Sequence, residues 1–230
     1  MSTALGSSAA RRGGSADSGA RVRGVLFSPA AGFAPALRRA ESAPERLSTY
    51  LLGAAGGASG MLLWLKATGL IGSREVTASG FSWGVFVSAL VLGAIVAVFA
   101  QAAWGALAPR IDSSDGPTTK GYRAIWALSA WPQVLALVLL LPLDLLLVGR
   151  EAFTAERIGD SVSMAWAALS TAFALSLAVW SAYVFVKGVQ VAIRATPGRT
   201  AGVVAAAAGC SAAVLVGVGA ALVGLEALIG

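Results

Sequence analysis

The sequence contains no histidine, one cysteine and few charged residues, and each shortage excludes a class of chemistry. Without histidine there can be no Ser-His-Asp or Cys-His catalytic arrangement and no HExxH zinc site. A single cysteine, Cys210, cannot form an intramolecular disulfide or a cysteine-based metal cluster. No nucleophile has a base beside it in the sequence. We therefore expect no enzymatic activity, no cofactor and no metal site.

The shortage of charge also indicates a membrane protein. Charged residues make up 12% of the 230 residues and hydrophobic residues 57%, with a mean hydropathy of +0.78. A soluble domain carries about 25% charged and 45–50% apolar residues. A soluble fold of this length leaves about a quarter to a third of its surface in water, so it could not bury this much apolar surface.

Five apolar runs are long enough to cross a bilayer as helices. A helix rises 1.5 Å per residue, so a hydrocarbon layer of about 30 Å needs roughly 20 residues. Pro132 and Pro142 fall within the third run, so this span is either continuous and kinked or broken and partly re-entrant. The sequence predicts an all-α membrane domain over residues 47–230, a bundle of five transmembrane helices at about 47–65, 81–107, 122–148, 163–186 and 201–229.

The segment before the first run divides into two parts. Residues 1–24 are mostly Ser, Ala, Gly and Arg, a composition typical of a disordered basic tail. Residues 25–46 predict a short amphipathic helix, because Phe33, Leu37 and Ala40 follow one another at three- to four-residue spacing. We expect this helix to lie at the membrane surface with Val25 and Leu26 inserted; a solvated linker is the alternative. The residues that carry this prediction are the helix-start pair Ser28 and Pro29, the inserted Phe33, and the charged Arg38 and Arg39.

The distribution of positive charge predicts the orientation. With five spans, thirteen of the seventeen Lys and Arg residues fall on the side of the N-terminus and four on the other side. Positive charge is retained in the cytoplasm, so we expect a plasma-membrane protein with a cytoplasmic N-terminus and an external C-terminus. The expected partner of the basic tail is the anionic inner leaflet, not nucleic acid. Tryptophans favour headgroup depth. With five spans, Trp64, Trp83 and Trp166 fall at the outer ends of spans, and Trp104 and Trp126 fall at the inner ends.

Small residues recur at helix-packing spacing in two spans. In lipid, helices associate through close contact at such positions. We expect contact faces at Gly53 and Gly57 in the first span, with Gly56 and Gly60 beside them. A second ladder in the last span consists of Gly209, Ala213, Gly217 and Ala221. These faces would serve the bundle or a homo- or hetero-oligomer, although a chain so rich in Ala and Gly also produces such pairs by chance.

Three ionisable residues fall inside or at the end of a predicted span at similar depth: Lys66, Asp144 and Glu226. Such residues are functional candidates because placing a charge in a membrane is costly. One interpretation is a polar pocket for an ion, a proton or a head group, which would suit a small transporter or channel subunit. The other is structural, with side chains snorkelling to the interface or one ion pair, Lys66–Asp144, joining two helices.

Several short stretches resemble the Yip (Ypt-interacting protein) domain family. They are Gly24-Val25-Leu26-Phe27-Ser28-Pro29 followed by Phe33, Gly121-Tyr122 leading to Ser129-Ala130-Trp131-Pro132, and Trp180 followed by Lys187-Gly188-Val189. The resemblance implies five spans and a cytoplasmic N-terminus. Eukaryotic members bind Rab-type GTPases in vesicle traffic, but their Asp-Leu-Tyr-Gly-Pro stretch is absent here, so the chain looks like a bacterial member. We expect a non-enzymatic membrane protein acting through protein or lipid contacts in membrane organisation or a trafficking-like role.

Overall fold

The computed structural model describes residues 23–25, 27–42, 47–71, 83–112, 116–153, 161–193 and 197–229, and all regular structure in these ranges is helical. Residues 1–22, which hold most of the predicted tail, and Leu26 lie outside this description. The helices are α1 (Pro29–Ser42), α2 (Leu47–Ile71), α3 (Trp83–Asp112), α4 (Thr119–Ser129), α5 (Trp131–Leu135), α6 (Leu141–Leu147), α7 (Ser161–Ile193) and α8 (Pro197–Ile229). A π-helical turn, Ala136–Leu140, joins α5 to α6, and a 3-10 turn, Gly149–Phe153, follows α6.

Four stretches of the described chain are long and apolar enough to cross a membrane: Trp83–Ile111, Thr119–Leu147, Ser161–Ile193 and Gly198–Val218. They are consistent with the multi-pass membrane protein that the sequence predicted. The first predicted span forms helix α2, which has 25 residues but is not among the four. Ser48, Thr49 and Tyr50 near its start, together with its glycines, lower its mean hydropathy.

The third predicted span is continuous despite its two prolines. Pro132 and Pro142 each lie in the first turn of a short helix, α5 and α6, where a missing N–H costs no hydrogen bond. The wider π-helical turn Ala136–Leu140 directly precedes Pro142. The π-helix is rare and occurs mostly as a single turn of this kind within an α-helix. The re-entrant alternative is therefore not what the structure contains.

Helices α2 and α3 cross at glycines. A Cβ added at Gly93 would lie 2.6 Å from the Gly57 carbonyl oxygen, and one added at Gly57 would overlap the Gly93 carbonyl oxygen. Since no side chain fits there, the two backbones can approach each other closely. Gly56 packs in the same way toward the third span, because its Cβ would lie 2.7 Å from the Cβ of Ala130. Gly57, which the sequence predicted as a helix-packing position, and its neighbour Gly56 thus lie at close contacts of α2 with other helices.

The small-residue ladder predicted on the last span makes no packing contact within the described part of the chain. No atom lies within 4 Å of a Cβ built at Gly209 or Gly217, and Ala213 is exposed. The buried face of α8 instead carries Val203, Ala207 and Cys210, whose larger side chains fill the contact with the bundle core. Among the described residues the ladder is therefore not a packing face of the bundle. Its predicted role in an oligomer stays a prediction, and the side chain of Ala221, its last residue, lies outside the description.

Helix α1 begins at Pro29, as the Ser28-Pro29 pair predicts, but its apolar face does not enter lipid. Phe33 is 0% exposed and Val25 1% exposed, both in the main hydrophobic cluster of the protein. Gly188 on α7 explains this position, because a Cβ there would lie 2.7 Å from the Phe33 ring. The missing side chain leaves a hollow that accepts the ring. The predicted membrane insertion of Val25 and Phe33 is therefore wrong, whereas Arg38 and Arg39 are exposed as expected.

Trp104 is also inside the protein and not in a lipid-facing belt. It is 0% exposed, and its indole Nε1 donates a hydrogen bond to the Val203 carbonyl oxygen at 3.1 Å. Its ring stands edge-on to Tyr122, with centroids 5.3 Å apart. Because the indole N–H finds a backbone partner on α8, the ring can be buried without an unpaired donor. By contrast, Trp64 and Trp83 are more than half exposed, as a headgroup belt would require.

Candidate functional site

Lys66 of α2 and Asp144 of α6 form a buried ion pair. Lys66 Nζ lies 2.6 Å from Asp144 Oδ2, and the two residues are 1% and 0% exposed. Each charge alone would cost about 2.5–3.5 kcal/mol at the centre of a membrane helix on insertion scales. Pairing offsets that cost only if the remaining donors and acceptors also find partners.

Helix α7 supplies those further partners. Lys66 Nζ donates a second hydrogen bond to Ser170 Oγ at 2.8 Å, and Ser170 Oγ in turn donates to the Ala167 carbonyl oxygen. Trp166 Nε1 donates to the other carboxylate oxygen of Asp144, Oδ1, at 3.1 Å. The four side chains, Lys66, Asp144, Trp166 and Ser170, form what we call the outer cluster. It joins α2, α6 and α7 at one end of the bundle.

The backbone around Asp144 explains why its carboxylate faces inward. Ala136, Leu140 and Asp144 are buried at four-residue intervals through the π-helical turn and into α6, while Leu139 and Leu143 are exposed. Helix α6 ends at Leu147, and Gly149 just beyond it has a φ of +72°, the left-handed conformation that a glycine adopts readily after a helix. The chain turns back there, and Phe153 packs on Phe86 of α3 with ring centroids 5.0 Å apart.

Of the three ionisable residues that the sequence singled out, the structure brings Lys66 and Asp144 together. The side chain of Glu226 lies outside the described part of the chain. Sequence reasoning missed Ser170 as a partner and assigned Trp166 to headgroup depth instead. Their spacing of four residues was the available signal, because it places both on one face of α7.

A second polar network lies at the opposite end of the bundle. Arg123 on α4 donates to the Tyr50 hydroxyl at 2.9 Å, and its carbonyl oxygen accepts a hydrogen bond from Gln101 Nε2 at 2.9 Å. Gln101 is fully buried, and its Nε2 also donates to the Thr49 carbonyl oxygen at 3.3 Å. This second network joins the start of α2 to α3 and α4.

Helix α1 is fastened to the same end of the third span. Glu41 Oε1 accepts a hydrogen bond from the backbone N–H of Thr118 at 3.1 Å, just before α4 begins. The first N–H groups of a helix have no partner within the helix, and a carboxylate there also interacts favourably with the helix dipole. Glu41 therefore caps α4 from another element of the chain.

A cavity of about 390 Å³ lies between the two polar clusters. Helices α2, α4, α5, α7 and α8 form most of its wall, which is mainly apolar with a few polar groups. Lys66 and Asp144 are not among the residues that line it. Its small lining residues include the α2 glycines Gly53, Gly56, Gly57 and Gly60.

The outer cluster has little capacity for chemistry. Its ammonium and carboxylate are occupied by protein partners, so a ligand would have to break the pair to reach either group. Within the described ranges no three Cys, Asp or Glu side chains converge to hold a metal ion. The arrangement is suited to holding three helices in register.

Comparison with known proteins gave no relative for this chain: no family, no curated protein and no solved structure matches it.

Proposed function

We propose that this protein is a non-enzymatic, five-span membrane protein of the Yip type, which acts through contacts with lipids and other membrane proteins. The observation that carries the proposal is the closed outer cluster. Lys66 and Asp144 are the best candidates for chemistry in the chain, yet both are bound by protein side chains and neither lines the cavity. Their role is then to hold the scaffold together.

Three observations support α2 as the fifth span. Its 25 residues would extend for about 37 Å, more than the hydrocarbon layer needs. It packs on α3 along Gly57 and Gly93, the close approach typical of membrane helices. It also carries Lys66 into a cluster with α6 and α7, both of which belong to stretches long enough to span. Both ends of α2 therefore contact helices that are long enough to span, through Tyr50 at its start and Lys66 near its end. This arrangement favours α2 as a span as well.

The charge distribution supports a plasma-membrane location with the N-terminus in the cytoplasm. Thirteen basic residues fall on that side and four on the other. Arg38 is exposed on α1, and each basic residue close to an anionic leaflet contributes about 1 kcal/mol.

Proton or ion flux separates this proposal from the transporter alternative, in which Asp144 would carry the cargo. We expect purified protein in liposomes to leave a pH gradient as stable as it is in empty liposomes. The Asp144→Asn variant should leave the rate at which the pH gradient decays unchanged. Gradient dissipation by the wild type that is abolished in a folded Asp144→Asn variant would overturn the scaffold role.

A further inference from the structure

The wall of the cavity between the helices carries a side-chain amide that has no hydrogen-bond partner in the described part of the chain. Gln133, on α5, lines the cavity, and its side-chain amide forms no hydrogen bond within the described part of the chain. Ser129 and Ser211 also line the wall, but each hydroxyl already donates to a backbone carbonyl of its own helix. Two lining side chains therefore have polar groups without a hydrogen bond among the described residues, the Trp126 indole N–H and the Gln133 amide, and of these the amide offers both a donor and an acceptor to an occupant.

Gln133 occupies the middle of the third span. The apolar stretch Thr119–Leu147 has fourteen residues on either side of it. The helix runs without a break past this point, because Ala130 between α4 and α5 has helical dihedral angles and its carbonyl oxygen accepts a hydrogen bond from the Val134 N–H at 3.0 Å. An amide without a partner at this depth is costly, so it should have one in the membrane.

The size and lining of the cavity restrict the occupant. A volume of about 390 Å³ lies in the range of small-molecule sites, which are mainly apolar with a few polar groups. No charged side chain lines the wall within the described residues. An uncharged ligand is therefore favoured.

We propose that this cavity binds an uncharged, mainly apolar molecule whose single hydrogen-bonding group meets the amide of Gln133 at the centre of the membrane. The long-chain alcohols are the simplest members of this class. The acyl chains of ordinary phospholipids do not fulfil the requirement, because their oxygen atoms lie at the headgroup level. The site is separate from the outer cluster, and the proposal does not depend on the scaffold role.

Two photoreactive probes test the proposal on the full-length protein in liposomes: a long-chain alcohol and the alkane of the same length with the same photoreactive group. Peptide mapping by mass spectrometry locates the labelled residues. We expect the alcohol to label cavity residues such as Ser181 and Ser211 about two- to tenfold more than the alkane, the worth of one hydrogen bond. In Gln133→Leu this preference should disappear.

A matched pair of glycine variants controls for general lipid labelling. Gly60→Leu places a side chain in the cavity, where the nearest atom to its Cβ is Gln133 Oε1 at 3.8 Å, so the helix can accept it. Gly209→Leu adds the same side chain to an open face of α8, with no atom within 4 Å of the Cβ. We expect Gly60→Leu to remove cavity labelling and Gly209→Leu to retain it. Equal labelling by both probes, or labelling spread evenly over exposed helix faces, would overturn the proposal.

Discussion

Lys66 and Asp144 lie 78 positions apart in the sequence, and their charged groups meet at 2.6 Å in the interior of the bundle. The contact joins α2, the least apolar of the long helices, to the segment that follows the π-helical turn of the third span. Trp166 and Ser170 of α7 complete it. A pair so enclosed stabilises one arrangement of three helices, because any other arrangement would leave a charge unpaired in a nonpolar environment.

The first prediction concerns the energetics of this pair. Lys66→Met or Asp144→Leu alone should lower the free energy of unfolding by about 3–5 kcal/mol, since each leaves a buried charge without its partner. The double variant should lie within about 2 kcal/mol of the wild type, because an apolar pair removes both charges together. Steric trapping in lipid bicelles measures these values. Additive losses in the double variant would show that the pair is not the source of the stability.

The second prediction concerns the crossing of α2 and α3. Gly93→Leu should destabilise the bundle by more than about 2 kcal/mol, because its Cβ alone would lie 2.6 Å from the Gly57 carbonyl oxygen. Gly217→Leu is the matched control, since no atom lies within 4 Å of a Cβ there. The same bicelle measurement applies. Equal tolerance of both substitutions would contradict the close crossing.

The third prediction concerns the anchoring of α1. Phe33→Ala should cost about 3–5 kcal/mol, as expected for an aromatic ring removed from a protein core. Phe27→Ala is the control, because Phe27 is 78% exposed. Hydrogen exchange across residues 29–42 should accelerate strongly in the first variant and remain unchanged in the second. Retained protection in Phe33→Ala would indicate that α1 is held by lipid instead of by the bundle.

Apolar length and turn-forming residues made most helix positions predictable. The two main differences arose where a side chain found protein instead of lipid. By pattern, Phe33 belongs to an amphipathic helix and Trp104 to an aromatic belt. The hollow at Gly188 and the contact of Trp104 with the Val203 carbonyl oxygen form only when distant helices pack. A one-dimensional pattern cannot separate burial in protein from burial in lipid, because both environments are apolar.

Similar limits applied to the candidate site. The depth of Lys66 and Asp144 followed from counting residues along two spans, which was enough to suggest their pairing. The cavity did not follow from the sequence, since it depends on how five helices leave space beside Gln133. The ladder at Gly209 and Gly217 was predicted as a contact face, but no atom of the described chain lies within 4 Å of a Cβ at either position. Spacing alone does not tell which face of a helix points inward.

The proposed fifth crossing is tested most directly by the accessibility of two cysteines on either side of α2. In a Cys210→Ala background, Ser42→Cys precedes α2 and Ser73→Cys follows it. A membrane-impermeant maleimide applied to intact cells should label Ser73→Cys at once and Ser42→Cys only after permeabilisation. Labelling of both, or of neither, before permeabilisation would place the two positions on one side of the membrane and contradict the five-span scaffold.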